Sequence, residues 1–185
     1  MSAVEPQPPG ALQLAQQRAS LWADAAQRVY AIIVAKKIVG IRERLAHGDV
    51  DDWDGLWTGE LDAEERAAAP VLVTLRRDSD FTGWLLDEGT AAFPGWGTLA
   101  QSRLPFLAMR SHCRALCKAQ LPNGQAIRID WMDPDVMEAV LTVAPADELD
   151  RAYAGFDVLV TLASDRWTRW SVSAGRLVRQ VSAVA

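Results

Sequence analysis

Cysteine and histidine are scarce in this chain of 185 residues, which has two of each. Cys113 and Cys117 stand four apart on one expected helix, and their Cβ atoms are then too far apart for the ~3.8 Å a disulfide prefers. The pair is read as reduced thiols of a cytoplasmic protein. His112 points away from them, and no second Cys/His pair completes a tetrahedral metal site. His47 is the only other histidine, and no G-x-S-x-G elbow occurs, so a nucleophilic triad has little material. Long apolar runs are missing too. The longest, Val29 to Ala35, spans seven residues and ends at Lys36-Lys37, against the ~20 that cross a bilayer. The lead Met1–Gly10 has neither a basic n-region nor an apolar h-region, so no secretory signal is expected. Positive charge is not in excess: 19 Lys and Arg against 24 Asp and Glu give −5, a poor balance for coating nucleic acid. Neither a cofactor nor a metal is expected, and neither a nucleic-acid partner nor membrane insertion.

What is present is an ordinary globular balance, 50% hydrophobic and 23% charged. A chain of this length makes about one domain and buries roughly 70% of its unfolded surface. Residues 1–10 read as a disordered Pro-rich lead, 11–155 as an α/β domain and 156–185 as a β extension of it. Ala11 to Gln27 reads as a helix with Leu12, Ala15, Ala19, Trp22 and Ala26 inward. Val29–Val34 and Val71–Leu75 read as strands buried on both faces. Lys36 to His47 reads as a helix with Ile38, Ile41 and Leu45 inward, and Asp78 and Ser79 offer caps for a short helix through Leu86. Trp96–Ser102 is expected as a strand, Leu104–Gln120 as a helix and Gln125–Trp131 as a strand. Helices follow from Asp133-Pro134 and over Pro145–Ala154, then short strands over Phe156–Leu162, Thr168–Ala174 and Leu177–Ala183. Trp170, Val172 and Ala174 are expected inward. The strand-helix alternation predicts a largely parallel central sheet flanked by helices, with a short antiparallel C-terminal extension.

Gly95-Trp-Gly-Thr-Leu-Ala100 fits G-x-G-x-x-A, but a dinucleotide turn needs a strand before it, a helix after it and an acid about 20 residues on. No Asp or Glu lies between Gly89 and Ile129, so a tight turn is the better reading. Asp133-Pro134 pairs a side-chain acceptor for first-turn amides with a preset φ, which reads as a helix cap in preference to a ligand role for Asp133. Asp49 to Arg66 holds eight acids against one base and carries Trp53 and Trp57. Such a run is a solvated face, or a surface on which the tryptophans anchor a partner. Residues 89–129 carry five bases and no acid. Arg110, Arg114 and Lys118 step by four, which makes either a solvated helical stripe or a docking face for an acidic or amphipathic segment.

In order along the chain come Val29-Tyr-Ala-Ile-Ile-Val34, Ala69-Pro-Val-Leu-Val-Thr-Leu75, Trp84-Leu-Leu86 and Gly95-Trp-Gly97. Ser102-Arg-Leu-Pro-Phe-Leu-Ala-Met-Arg-Ser-His-Cys-Arg-Ala-Leu116 and Ile127-Arg-Ile-Asp-Trp-Met-Asp-Pro134 complete the series. This ordered set resembles the type VI secretion effector chaperones, or effector adaptor proteins, over about residues 29–160. Two positions depart: Val34 stands where the family's first strand usually runs into an Asp, and Asp135 where an Arg commonly follows Asp-Pro. Many members carry a longer C-terminal lobe, so reduced contact with the secretion machinery is expected. The resemblance implies a non-enzymatic cytoplasmic adaptor that holds a cognate effector and helps load it onto the VgrG spike. A small α/β enzyme and an immunity protein are the alternative readings.

Overall fold

A computed structural model describes residues 9–183. Most of the expected lead therefore lies outside the described residues, and Pro9 and Gly10 already belong to the first helix. In chain order the elements are α1 (Pro9–Leu21), β1 (Arg28–Ile33), a 3-10 turn (Ala35–Lys37), α2 (Ile41–His47), β2 (Trp53–Gly55), α3 (Ala63–Ala68) and β3 (Val71–Leu75). They continue with α4 (Asp80–Trp84), a π turn (Leu85–Gly89), α5 (Thr90–Ala92), β4 (Gly97–Ser102) and α6 (Phe106–Leu116). The last are β5 (Lys118–Gln120), β6 (Ala126–Arg128), α7 (Pro134–Val143), α8 (Ala146–Tyr153), β7 (Val158–Leu162), β8 (Arg166–Ser173) and β9 (Arg176–Ala183).

Among the described residues, seven strands form one sheet in the order β2-β3-β1-β4-β7-β8-β9, and every neighbouring pair is antiparallel. The largely parallel sheet expected from the sequence is thus incorrect. β3 and β4 do run the same way, joined by the crossover through α4 and α5, but β1 lies between them and opposes both. Alternation of strands and helices specifies that crossover and says nothing about which strand fills the gap. The two-sided apolar runs of β1 and β3 record helices on both faces of the sheet, a property of layer number and not of strand direction. The three C-terminal strands continue this same sheet.

Two cores result. On one face Val29, Ala31, Ile33, Val73 and Trp167 pack under Leu21, Ile38, Ile41, Leu45, Phe81 and Leu85. On the other, Tyr30, Ile32, Leu72 and Trp170 pack under Met109, Cys113, Met137, Leu141 and Leu149. The π turn widens the α4–α5 helix, and the Thr90 hydroxyl donates back to the Leu85 carbonyl across it.

Local departures from the sequence reading have local causes. Of the side chains described in and just after α1, Leu21 is buried, Leu14 and Trp22 pack against the same core, and Ala15, Ala19 and Ala26 are exposed; Leu12 lies outside the described side chains. Alanines have little surface to bury, so the two leucines set the helix rotation. Lys36–His47 is a 3-10 turn and a separate helix α2, divided at Gly40 in the left-handed region. The helix expected to Gln120 stops at Leu116, and β5 and β6 form a small hairpin. Ala174 is exposed at a turn and does not face inward. It and Gly175 have φ of 51° and 68° and join β8 to β9 by the two-residue turn that suits the twist of a hairpin. A Cβ at positive φ costs about 1 kcal/mol. Ala174→Gly is therefore expected to raise the melting temperature by about 2–4 °C, read by calorimetry.

Candidate partner-binding surface

The acidic segment and the basic stripe, legible as two separate surfaces, meet. Trp53 on β2 packs against one core and Trp57 beside the other, which brings Asp54 over α6. Arg110 Nη1 donates to Asp54 Oδ2 at 2.6 Å and Arg114 Nη2 at 3.1 Å. Arg114 also donates to the Gly55 carbonyl oxygen, through Nε at 3.2 Å and Nη2 at 2.7 Å. These contacts cover the end of β2, the short edge strand of the sheet. The three charged side chains keep 26–38% exposure, so each ion pair is worth about 1 kcal/mol or less.

Other bases fasten the rest of the segment. Arg76 reaches Asp49 and Asp51, and Arg128 pairs with Glu65 at 2.8 Å. Arg42 and Arg128 lie over the Trp53 and Trp57 rings at 5.9 and 5.0 Å. Asp62 and Glu65 form a reciprocal cap on α3. Lys118, one residue beyond the C-cap of α6, falls on β5, exposed and without a carboxylate partner among the described residues.

Asp49 is the strongest local device in the segment. It accepts from the Ser79 hydroxyl at 2.8 Å and from the Asp80 and Phe81 amides at 2.9 and 3.0 Å. These bonds, that of the Phe81 amide foremost, hold its carboxyl down at about 2 against an ordinary 3.8. The folded value lies below the unfolded one, so this contribution is full above about pH 4 and disappears as the pH falls through about 2. The gap in melting temperature between wild type and Asp49→Ala is expected to narrow steadily over that window.

Asp133 caps α7 through the Asp135 amide, with Pro134 at the first helical position. It also binds Lys37 Nζ at 2.7 Å, and Lys37 donates to the Gly95 carbonyl oxygen at 2.9 Å. Two adjacent lysines thereby tie β1 to the α7 side, since Lys36 pairs with Asp130. No sequence signal near Lys36-Lys37 announced this. In Gly95-Trp96-Gly97, Gly95 has φ +65° and Trp96 is buried, its Nε1 donating to Thr90 Oγ1 at 3.1 Å while its carbonyl accepts from the Val34 amide at 2.8 Å. A strand follows, where a phosphate-binding turn would need a helix N-terminus.

Cys113 and Cys117 are free and buried. Desolvation pushes the Cys117 thiol up to about 12 and Cys113 higher still, so both stay protonated at neutral pH. His112 sits edge-on to Phe156, with 4.9 Å between ring centroids, and its Nε2 meets the Ala152 carbonyl oxygen at 2.9 Å.

The other end of the sheet is different. β9 is eight residues long and has no strand on its outer side among the described residues. Beside it lies a cleft of about 280 Å³ lined in part by Pro134, Glu138, Thr168, Arg166 and Arg179.

Fold and surface together define a helix-clad antiparallel-sheet scaffold whose charged side chains fasten one segment to another. A family model matches residues 29–151, and the chain belongs to that family, described as a domain of unknown function (DUF4123) and known as the type VI secretion effector-associated adaptor domain. No curated protein and no solved structure matches the chain.

Proposed function

We propose that this protein is a non-enzymatic adaptor that holds a cognate type VI secretion effector in the cytoplasm of the producing cell and helps load it onto the VgrG spike. Family membership over residues 29–151 is the observation that carries this reading. Two features support it. Asp54, Asp130 and Asp133 are engaged in ion pairs that join segments distant in sequence. No helix among the described residues is long and apolar enough to cross a membrane.

The test is to identify a large toxin gene adjacent to this one and coexpress the two, followed by purification and a secretion assay. Copurification of the two chains, and loss of toxin export when this gene is deleted, are expected. A toxin exported at the normal level without it overturns the reading, and protection of an already intoxicated recipient would make it an immunity protein. Reversing Arg110, Arg114 and Lys118 to Glu tests the face nominated for steering the partner. It needs two readouts, because Asp54 is the internal partner of both arginines. Steering predicts that toxin capture falls at low salt, whereas a fastening role alone predicts a lower melting temperature with capture intact.

A further inference from the structure

The two edges of the sheet are treated in opposite ways. β2 has three residues, and Arg114 occupies its Gly55 carbonyl. β9 has eight, pairs with β8 in unbroken register from Arg176 to Ala183, and contains neither a proline nor a bulge. The two-residue turn makes Ser173 and Arg176 a hydrogen-bonded pair, so the amides and carbonyls of Leu177, Arg179, Val181 and Ala183 point away from β8. Such a row is a template for another strand.

Charge decides what kind of strand. β9 itself carries Arg176 and Arg179 and no acid. Of the arginines on β8 and β9, Arg166 pairs with Asp165 at 3.2 Å and Arg179 with Glu138 at 3.4 Å. Arg169 is turned to Gln101 and Ser20 on one face. Arg176 is exposed and has no carboxylate partner among the described residues. A second copy would bring to this edge only another strand with two arginines and no acid, which adds like charge, while an acidic strand would meet the unpaired Arg176. Val181, 54% exposed, lies with Thr168 and Arg179 on the face where alternate side chains of an added strand would fall, beside a cleft that Arg166, Arg179, Asp135 and Glu138 line together; Arg176 points to the opposite face.

We propose that the open edge of β9 takes an extended, acidic segment of the effector as an eighth strand of the sheet. This rests on the adaptor reading above. The experiment uses the full chain, alone and copurified with the coexpressed toxin, and follows amide hydrogen exchange at Leu177, Arg179 and Val181. Exchange is expected to slow about tenfold or more in the complex. Val181→Pro removes an outward amide that β8 does not use, so the fold should persist while toxin capture falls about tenfold. Should that variant melt early, Arg176→Glu, at an exposed arginine with no carboxylate partner among the described residues, carries the same direction, a loss of about fivefold at low salt. A complex that forms while those amides exchange as in the free chain overturns the inference and leaves the adaptor reading standing. Failure of the wild-type chain to form a complex overturns both. Protection that appears in the chain alone and grows with its concentration assigns the edge to a second copy and also overturns it.

Discussion

Gly97→Ala is expected to destabilise the protein by about 3–5 kcal/mol, a drop of roughly 10 °C in melting temperature. Gly97 opens β4 with φ +158° opposite Ile33 of β1. A Cβ there would overlap the Ile32 carbonyl oxygen and stand 3.0 Å from Ile33 Cα. Both neighbours are backbone of the interior strand β1, and Ile32 and Ile33 are fully buried between two helical layers, so neither can step aside. The substitution must part β4 from β1 or shift the buried Trp96. Equilibrium denaturation with urea measures the loss, and a change below about 1 kcal/mol would refute this account of the Gly-Trp-Gly turn.

Gly155→Ala is the second large effect, about 2 kcal/mol, and it has a built-in rescue. Its Cβ would overlap His112 Cδ2 and lie 2.8 Å from Cγ. The ring cannot swing freely, because Phe156 stands edge-on to it and the Ala152 carbonyl holds Nε2. Gly155 is fixed in turn by the Ser102 hydroxyl, which donates to its carbonyl at 2.6 Å. Removing the ring with His112→Ala opens the space the methyl needs. The double variant is therefore expected to be more stable than the sum of the two single losses, by about 1 kcal/mol or more in a double-mutant cycle. Strict additivity would show that the ring is not the obstacle.

Local signals were legible where one residue decides one bond or one burial. Ser79 as a cap, Asp133-Pro134 as a helix start, and Ile38, Ile41 and Leu45 as one buried face all follow from chemistry within four residues, and the structure has each of them. Strand direction was not legible, because β1 meets β3 and β4, which lie some 40 and 70 residues on, and its apolar pattern is the same whichever way its neighbours run. The surface failed to read for the same reason. Asp54 sits among seven other acids in sequence, and its partners Arg110 and Arg114 lie 56 and 60 residues away. Charge counting finds a run and a stripe but not that one closes on the other. The functional reading came from the ordered series of motifs, whose span is nearly that of the family match at residues 29–151. Composition supplied none of it.

The place of β1 in the sheet bears on how the molecule is made. The first of the sheet's strands to leave the ribosome is an interior one, apolar on both sides, and both of its neighbours are translated later, β3 by residue 75 and β4 not until residue 102. At ordinary elongation rates that wait is several seconds or more. Until β3 is complete a nascent Val29–Val34 has no native strand to pair with, and until β4 follows one edge of it stays open, while slow closure of such distant contacts prolongs the exposure. Overproduced from a strong promoter, the chain should accumulate partly in inclusion bodies, and slower translation or a lower growth temperature should return it to the supernatant.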